Sequence, residues 1–280
     1  MIHNYLKLIR IDKPIGIWLL FLPCLFGLVL AQKIQSTEIV YYGLLFFIGA
    51  FLMRSAGCVV NDMMDRNFDK KVARTKNRPI ASGVISIKAS MLFMMLLLGL
   101  AFLVLLQFNF ATIIFGCASL AFVIAYPPMK RITFYPQIFL GLTFNLGILF
   151  ASTAVFGTVT HQHLLLYAAS VLWTLIYDTI YGYQDLEDDV KIGVKSTAAK
   201  FGKKPQKKLM IFAGVFLAIL FFLGVINDFK FGYYPLIFLA FFHIACQIKT
   251  CDFSDPKDCL KKFKSNFWVG IILLLALILA

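Results

Sequence analysis

The sequence predicts an all-α membrane protein that crosses the bilayer many times. Its 280 residues are 60% hydrophobic and only 15% charged, and the mean hydropathy is +0.83. A water-soluble domain needs more polar surface than this composition supplies. The apolar residues also fall in nine separate stretches, and a helix needs ~20 apolar residues to cross a ~30 Å hydrocarbon layer. We therefore expect nine transmembrane helices.

Most of the nine stretches have the length of a membrane span. They cover residues 15–32, 39–60, 89–107, 110–126, 135–156, 164–181, 209–226, 232–248 and 267–280. The last stretch has 14 residues, which as a helix reach roughly 21 Å. We expect this helix to tilt little or to depend on its neighbours.

The basic residues predict the orientation of these helices. Lys and Arg accumulate in short loops on the cytoplasmic side of a membrane. An N-terminus in the cytoplasm places all but three of the 27 basic residues there, the exceptions being Lys33, Lys230 and Arg54. The net charge of +13 then indicates orientation and attraction to lipid headgroups rather than nucleic-acid binding. The first apolar stretch is full length, so we expect no removable signal and a bacterial inner membrane.

Two acidic motifs repeat along the chain, and both emerge on the predicted cytoplasmic side. The first is NDMMDRNFD (61–69), and the second lies within DTIYGYQDLEDD (178–189). Acids four residues apart share one helical face, which applies to Asp65 and Asp69 and again to Asp185 and Asp189. The second pair lies 120 residues after the first. This repetition predicts two similar halves that face one site.

Acids gathered at one site repel one another unless cations neutralise them. Mg²⁺ prefers oxygen ligands and is usually held by one or two carboxylates together with substrate phosphates. Arg66, Arg74 and Arg78 lie within one stretch of thirteen residues that starts inside the first motif, in a chain that has 21 Lys and six Arg. Because a guanidinium forms two parallel hydrogen bonds to phosphate or carboxylate, the sequence predicts a site for a metal-bound diphosphate.

Arg54 lies within an apolar stretch, seven residues before Asn61. A charge at this depth is costly unless it faces protein, water or a partner. Two roles are compatible with its position: a structural pair with an acid, or a contact with a carboxylate of the substrate.

Two other classes of protein fit part of the pattern. Secondary transporters combine repeated halves with charges inside the membrane, but here the acids gather at one membrane face. A phosphotransferase acting on a CDP-alcohol would also use Mg²⁺ and aspartates, but its DG and AR pattern is absent from the sequence.

The two acidic motifs, with the RTKNRP (74–79) and VKSTA (194–198) sequences that follow them, closely match known signature motifs. RIDKPIG (10–16) and YPPMKR (126–131) match as well, in order and at suitable spacing. The chain thereby resembles the UbiA family of intramembrane aromatic prenyltransferases along its whole length. The resemblance implies a single domain over residues 1–280, nine helices in a bundle around a central cavity, and Mg²⁺ as cofactor.

The resemblance also assigns roles to individual residues. The catalytic acids would be Asp65, Asp69, Asp185 and Asp189. The metal ligands would be Asn61 and these four acids, with Asp62 and Asp188 in support, whereas Glu187 departs from the family pattern and is not expected to bind metal. Substrate contacts are expected from Arg66, Arg78, Tyr126, Lys130, Arg131, Tyr181 and Lys195, with Arg54 as the additional candidate.

The reaction implied is the transfer of a polyprenyl group from a polyprenyl diphosphate to 4-hydroxybenzoate, at the carbon ortho to its hydroxyl. This transferase step belongs to ubiquinone biosynthesis. Relatives in the same family use dihydroxynaphthoate, homogentisate, haem or chlorophyllide as acceptor, and these acceptors stay open at this point. Membrane lipid is the expected surrounding partner, and neither nucleic acid nor an obligate protein partner is expected.

Overall fold

The computed structural model describes residues 2–31, 35–72, 74–191 and 193–280. Lys33, which the orientation argument placed outside, lies outside these ranges. Within them the chain is α-helical and contains no strand. The helices are α1 Ile2–Leu8, α2 Ile15–Leu30, α3 Ser36–Met64, α4 Arg66–Asp69, α5 Ile87–Leu105, α6 Phe110–Ile132, α7 Pro136–Phe144, α8 Leu146–Phe156, α9 His161–Gly182, α10 Leu186–Lys191, α11 Thr197–Phe201, α12 Gln206–Ile226, α13 Tyr233–Thr250 and α14 Pro256–Ile278, with a 3₁₀ turn at Tyr183–Asp185.

The predicted helical membrane architecture is confirmed. Among the described residues, six helical segments are long and apolar enough to cross a membrane: Thr37–Met64, Ile87–Leu105, Phe110–Ile132, Pro136–Phe156, His161–Lys191 and Gln206–Ile226. The apolar helix Ile15–Leu30 is shorter. Large apolar side chains on α5, such as Leu92, Met95 and Leu103, are exposed, as expected for a surface that meets lipid.

The last helix is longer than its apolar stretch predicted. It begins at Pro256 and has 23 residues, or about 34 Å of length. Asp255 caps its start by accepting a hydrogen bond from the Lys257 backbone N–H at 2.9 Å. The first turns carry several lysines, so a search for apolar runs misses them.

Close helix contacts fix the walls of the bundle. Gly27 on α2 lies against α8, because a Cβ atom there would come within 2.6 Å of the Ala151 Cβ and 2.7 Å of the Ile148 carbonyl oxygen. On α9, Trp173 is fully buried and donates a 2.8 Å hydrogen bond to the Asn266 side chain on α14. These contacts hold α2, α8, α9 and α14 in place, so they position the acids that follow α9.

We expect Gly27→Val to destabilise the fold, because the added side chain meets backbone that cannot move aside. Overpacking of this kind typically costs about 1–3 kcal/mol. Gly43→Val on α3 is the matched control, because nothing lies within 4 Å of a Cβ atom at Gly43. Thermal unfolding in detergent should show a lower midpoint for Gly27→Val alone, and equal midpoints for the two variants would contradict the packing described.

Candidate active site

One large cavity of about 840 Å³ lies inside the bundle. Helix α3 runs along it, with Asn61 near one end and Phe46 near the other. Their separation of 15 positions corresponds to about 22 Å along the helix axis. Acids and cations line the end near Asn61, whereas Leu45, Phe46, Phe108 and Phe150 line the other end. The cavity therefore joins a charged chamber to an apolar arm.

A break between α3 and α4 shapes the first acidic motif. Asp65 ends α3 and immediately precedes α4, so the chain turns at this residue. The neighbouring Asp62 is 2% exposed and accepts hydrogen bonds from Arg10 at 2.6 Å and from Arg78 at 3.0 Å. The same Arg78 nitrogen donates to Asp69 at 2.9 Å. Arg78 thus links both ends of the motif.

Asp65 has unused hydrogen-bonding capacity. One of its oxygens is bonded by Lys130, and Arg131 approaches the other at 3.8 Å. That other oxygen, Oδ1, is buried and has no hydrogen-bond partner in the described part of the chain. A buried acceptor without a partner is costly, so Asp65 is prepared to bind a ligand.

The second motif joins the first through an arginine from the first half. The guanidinium of Arg74 forms a two-pronged contact with Asp185, with 2.7 Å between Nε and Oδ1. Asp185 ends the 3₁₀ turn after α9, and Asp189 lies one helical turn further along. Both acids line the charged chamber. The two motifs therefore share one chamber, as their repetition predicted.

Neighbouring side chains set the pKa of the Asp69 carboxyl in the chamber. Burial raises the pKa of the Asp69 carboxyl above its ordinary value, Arg78 opposes this rise, and Asp62 and Asp65 add to it. A cation that bound here would lower the repulsion among these carboxylates.

The middle of the cavity holds two ionisable side chains that form no ion pair within 4.0 Å among the described residues. The Arg54 guanidinium lies 5.7 Å from the centre of the Phe144 ring and against Gly16, where a Cβ atom would come within 2.6 Å of it. Asp178 on α9 also lines the cavity. In the ranges that the structure covers, neither side chain forms an ion pair, and Asp178 forms no side-chain hydrogen bond. No ion pair within 4.0 Å therefore supports the structural pairing considered for Arg54, and its role stays a prediction.

Most of the predicted site residues line this cavity. They are Arg54, Asn61, Asp62, Asp65, Asp69, Arg78, Tyr126, Lys130, Tyr181, Asp185, Asp189 and Lys195. These placements bring the predicted residues together, while the role of each one stays a prediction.

Three predicted site residues, Arg66, Arg131 and Asp188, are not among those that line the cavity. Each directly follows or precedes a residue that does, and neighbours in a helix point about 100° apart. Arg131 instead donates to the Met64 carbonyl at 3.1 Å and covers the Phe68 ring at 4.9 Å. Asp188 is half exposed beside Lys191 at 3.9 Å. Direct ligand contacts by these three side chains are not supported.

Three residues outside the predicted set contribute to the chamber: Arg10, Arg74 and Asp178. Arg10 belongs to the RIDKPIG motif and Arg74 to the arginine-rich stretch, so their motifs were visible in the sequence. Their partners were not visible, because these acids lie 52 and 111 residues away. Asp178 had a clearer signal, since it is an acid within an apolar helix.

The acids of the chamber suit a magnesium ion that arrives with a diphosphate. In the described residues, no three His, Cys, Asp or Glu side chains are grouped as a ready metal site. Mg²⁺ bound to a diphosphate needs only one or two protein carboxylates. Asp65 Oδ1, which has no hydrogen-bond partner in the described chain, would supply one such ligand, and Asp69, Asp185 and Asp189 line the same chamber.

Comparison with known proteins agrees with this geometry. Residues 20–271 match the model of the UbiA prenyltransferase family. The mitochondrial 4-hydroxybenzoate polyprenyltransferase of Rattus norvegicus is 47% identical over 279 residues, which cover 99% of this chain and 75% of the relative. The Caenorhabditis elegans protein of the same name is 44% identical over 270 residues, or 96% of this chain and 76% of the relative.

Solved structures share the fold. An apo UbiA homolog from Aeropyrum pernix superposes with a TM-score of 0.78 at 21% identity, covering 94% of this chain and 96% of that one. A UbiA homolog from Archaeoglobus fulgidus, bound to GPP and Mg²⁺, gives a TM-score of 0.74 at 17% identity, covering 98% of this chain and 99% of that one.

Proposed function

Since the chain belongs to the UbiA prenyltransferase family, we propose that it transfers a polyprenyl group from a polyprenyl diphosphate to 4-hydroxybenzoate in ubiquinone biosynthesis. The new bond forms at the ring carbon ortho to the hydroxyl. The relatives named for this activity support the acceptor, and the homolog bound to GPP and Mg²⁺ supports the donor and the cofactor. The observation that carries the proposal is one cavity in which both acidic motifs meet and continue into an apolar arm.

The charged chamber binds the diphosphate end of the donor. Asp65, Asp69, Asp185 and Asp189 hold the metal, and Asn61 contributes an amide oxygen. When bound, Mg²⁺ neutralises negative charge that develops on the departing diphosphate. Arg78 and Lys130, which pair with acids here, lie close enough to pair with phosphate oxygens instead. Asp62 keeps Arg10 and Arg78 in place.

The apolar arm receives the prenyl tail. Its wall is formed by aliphatic and aromatic side chains and by small residues of α3, including Gly49 and Ala50. A Cβ atom at Gly49 would meet only the Val104 side chain, at 3.9 Å, so the arm is open at this depth. An apolar channel also keeps water from the allylic cation that forms when the carbon–oxygen bond breaks.

The acceptor binds between the chamber and the arm. Its carboxylate pairs with Arg54, whose guanidinium has no acid partner in the structure as described. Asp178 lines the same cavity as Arg54. It accepts the proton that the ring loses after the new carbon–carbon bond forms. The diphosphate leaves with the electron pair of the broken bond, and loss of the proton to Asp178 restores the aromatic ring. Tyr126 and Tyr181 line this space.

The membrane arrangement is also part of the proposal. Besides the six segments described above, α2, α13 and α14 cross the bilayer, which gives nine crossings in two related halves. The N-terminus and both acidic loops lie in the cytoplasm of a bacterium, and membrane lipid surrounds the bundle. The uneven distribution of basic residues between the two sides supports this orientation, although the relatives named above are mitochondrial.

Arg54→Leu is expected to raise the KM for 4-hydroxybenzoate selectively, by about tenfold or more. The reason is that loss of one charge-assisted hydrogen bond weakens binding by about this factor. The KM for the donor should stay within twofold of wild type and serves as the internal control. Steady-state kinetics with each substrate varied in turn make the measurement. An unchanged acceptor KM would remove Arg54 from the acceptor site.

An acceptor panel tests the proposed substrate. Purified protein is incubated with geranyl diphosphate, Mg²⁺ and one of 4-hydroxybenzoate, dihydroxynaphthoate or homogentisate, and products are identified by mass spectrometry. We expect a prenylated product with 4-hydroxybenzoate. A product with another acceptor alone would keep the mechanism and change the substrate. Transfer of label from a CDP-alcohol, or substrate flux in vesicles without any new product, would contradict prenyl transfer.

A further inference from the structure

A second, smaller pocket of about 240 Å³ lies between the end of α13 and the start of α14, apart from the active-site cavity. It is lined by His243, Cys246, Gln247 and Thr250 from α13 and by Lys261, Lys262 and Ser265 from α14. Among these residues, Gln247 is polar but only 3% exposed.

The Gln247 amide has an unused acceptor. Its Nε2 donates a 2.7 Å hydrogen bond to Ser265 Oγ, while the buried Oε1 has no partner in the described chain. Ser265 Oγ already donates its hydrogen to the Lys262 carbonyl at 2.8 Å. The amide must therefore present its N–H to Ser265, which leaves Oε1 as the unused acceptor of a side chain that lines the pocket. A ligand that completes this site must offer a hydrogen-bond donor.

The pocket also carries positive charge that no nearby acid cancels. Lys262 Nζ donates to Thr250 Oγ1 at 2.6 Å, which uses one of its three hydrogens. Lys261 is exposed, and neither lysine has an acid within 4.0 Å in the residues that the structure covers. The closest acid in the sequence, Asp258, instead accepts from the Asp252 backbone N–H at 2.9 Å. The lysines are thus available to an anion.

The position of the pocket matches the depth of lipid headgroups. Helix α13 changes from apolar to polar residues here, and α14 does the reverse. Phe242, next to His243, is 64% exposed, and Trp268, three residues after Ser265, is 60% exposed. Tryptophan is enriched where lipid meets water, so the exposed Trp268 marks this depth. The pocket therefore opens at the boundary between the apolar surface and the charged loop.

We propose that this pocket binds the headgroup of a phospholipid that carries both a phosphate and a hydrogen-bond donor, as phosphatidylethanolamine does. Lys261 and Lys262 contact the phosphate, and Gln247 Oε1 accepts a hydrogen bond from the ammonium group. Phosphatidylcholine has the same phosphate and charge, but its trimethylammonium group has no N–H to donate. The site consequently distinguishes the two lipids, and it does so without any dependence on prenyl transfer.

Native mass spectrometry of the full-length protein, with equal amounts of each lipid added in detergent, measures this preference. We expect wild type to retain phosphatidylethanolamine about tenfold better than phosphatidylcholine, the value of one charge-assisted hydrogen bond. Gln247→Met should abolish the preference, whereas Gln247→Glu, which keeps an acceptor, should retain it. Lys261→Met should weaken retention of both lipids, and Lys249→Met, an exposed lysine outside the pocket, should change neither.

Two results would overturn the proposal. One is equal retention of the two lipids by wild type, and the other is a preference that persists in Gln247→Met. Glycerophosphoethanolamine, which has the headgroup without the acyl chains, tests the lipid assignment. If this soluble compound bound as well as the intact phospholipid, the ligand of the pocket would be a free phosphate ester instead of a lipid. If Gln247→Met fails to fold, Lys261→Met tests the site by itself. Retention of both lipids equal to that of wild type would show that this pocket is not the lipid-binding site.

Discussion

Asp65→Asn is expected to lower prenyl transfer by at least about a hundredfold, the scale on which loss of one group that stabilises developing charge acts. Asp65 lies at the turn between α3 and α4, and its Oδ1 is a buried acceptor without a hydrogen-bond partner among the described residues. Asparagine keeps the shape of the side chain but removes the negative charge that a metal requires. Asp185→Asn should behave in the same way, because Asp185 faces the chamber from the second motif. Turnover of geranyl diphosphate with 4-hydroxybenzoate measures the effect.

Asp188→Asn is the matched control for both variants. It makes the same chemical change in the second motif, but Asp188 is half exposed and pairs with Lys191 outside the cavity. Activity near that of wild type is expected. Thermal unfolding should show that all three variants stay folded. Near-normal turnover in folded Asp65→Asn or Asp185→Asn would rule out the metal assignment.

Asp178→Asn is expected to slow turnover by about a hundredfold or more, as loss of a general base does, while the KM for the donor stays unchanged. Asp178 faces the cavity without an ion-pair partner in the described residues, and it lies two helical turns before Asp185. An amide in its place accepts the ring proton poorly. Removal of that proton should then limit the rate, so 4-hydroxybenzoate with deuterium at both carbons ortho to the hydroxyl should react more slowly than the ordinary compound.

This isotope effect separates a catalytic role from a structural one. A variant that only misplaced the substrate would lose activity without gaining sensitivity to deuterium. Asp178→Glu retains a carboxylate and should recover part of the rate and suppress the isotope effect. If Asp178→Asn turned over normally, or lost activity with no isotope effect, another group would have to accept the proton.

The sequence predicted the parts of the site that depend on local spacing. Asp65 and Asp69, like Asp185 and Asp189, share a helical face, and both pairs line one chamber as expected. The spacing of seven residues also brought Arg54 to the cavity side of α3. The helical class followed from the 60% hydrophobic content together with apolar stretches long enough to cross a membrane as helices.

Contacts between distant parts of the chain could not be predicted in this way. The pairs of Arg10 with Asp62 and of Arg74 with Asp185 join residues that come together only when the bundle closes. The resemblance named Arg66 and Arg131 as substrate contacts, but neither is among the residues that line the cavity, so these two roles stay predictions. The start of α14 was missed for a related reason, since its first turns are helical but not apolar.

The measurement that tests the account most directly is product formation by the wild-type protein with and without Mg²⁺. Purified protein in detergent or liposomes receives geranyl diphosphate and 4-hydroxybenzoate, and either Mg²⁺ or EDTA. We predict a product that carries the prenyl group at the carbon ortho to the hydroxyl, formed with Mg²⁺ and abolished by EDTA. The same yield in EDTA, or no product with geranyl diphosphate or any longer donor, would contradict Mg²⁺-dependent prenyl transfer by this protein.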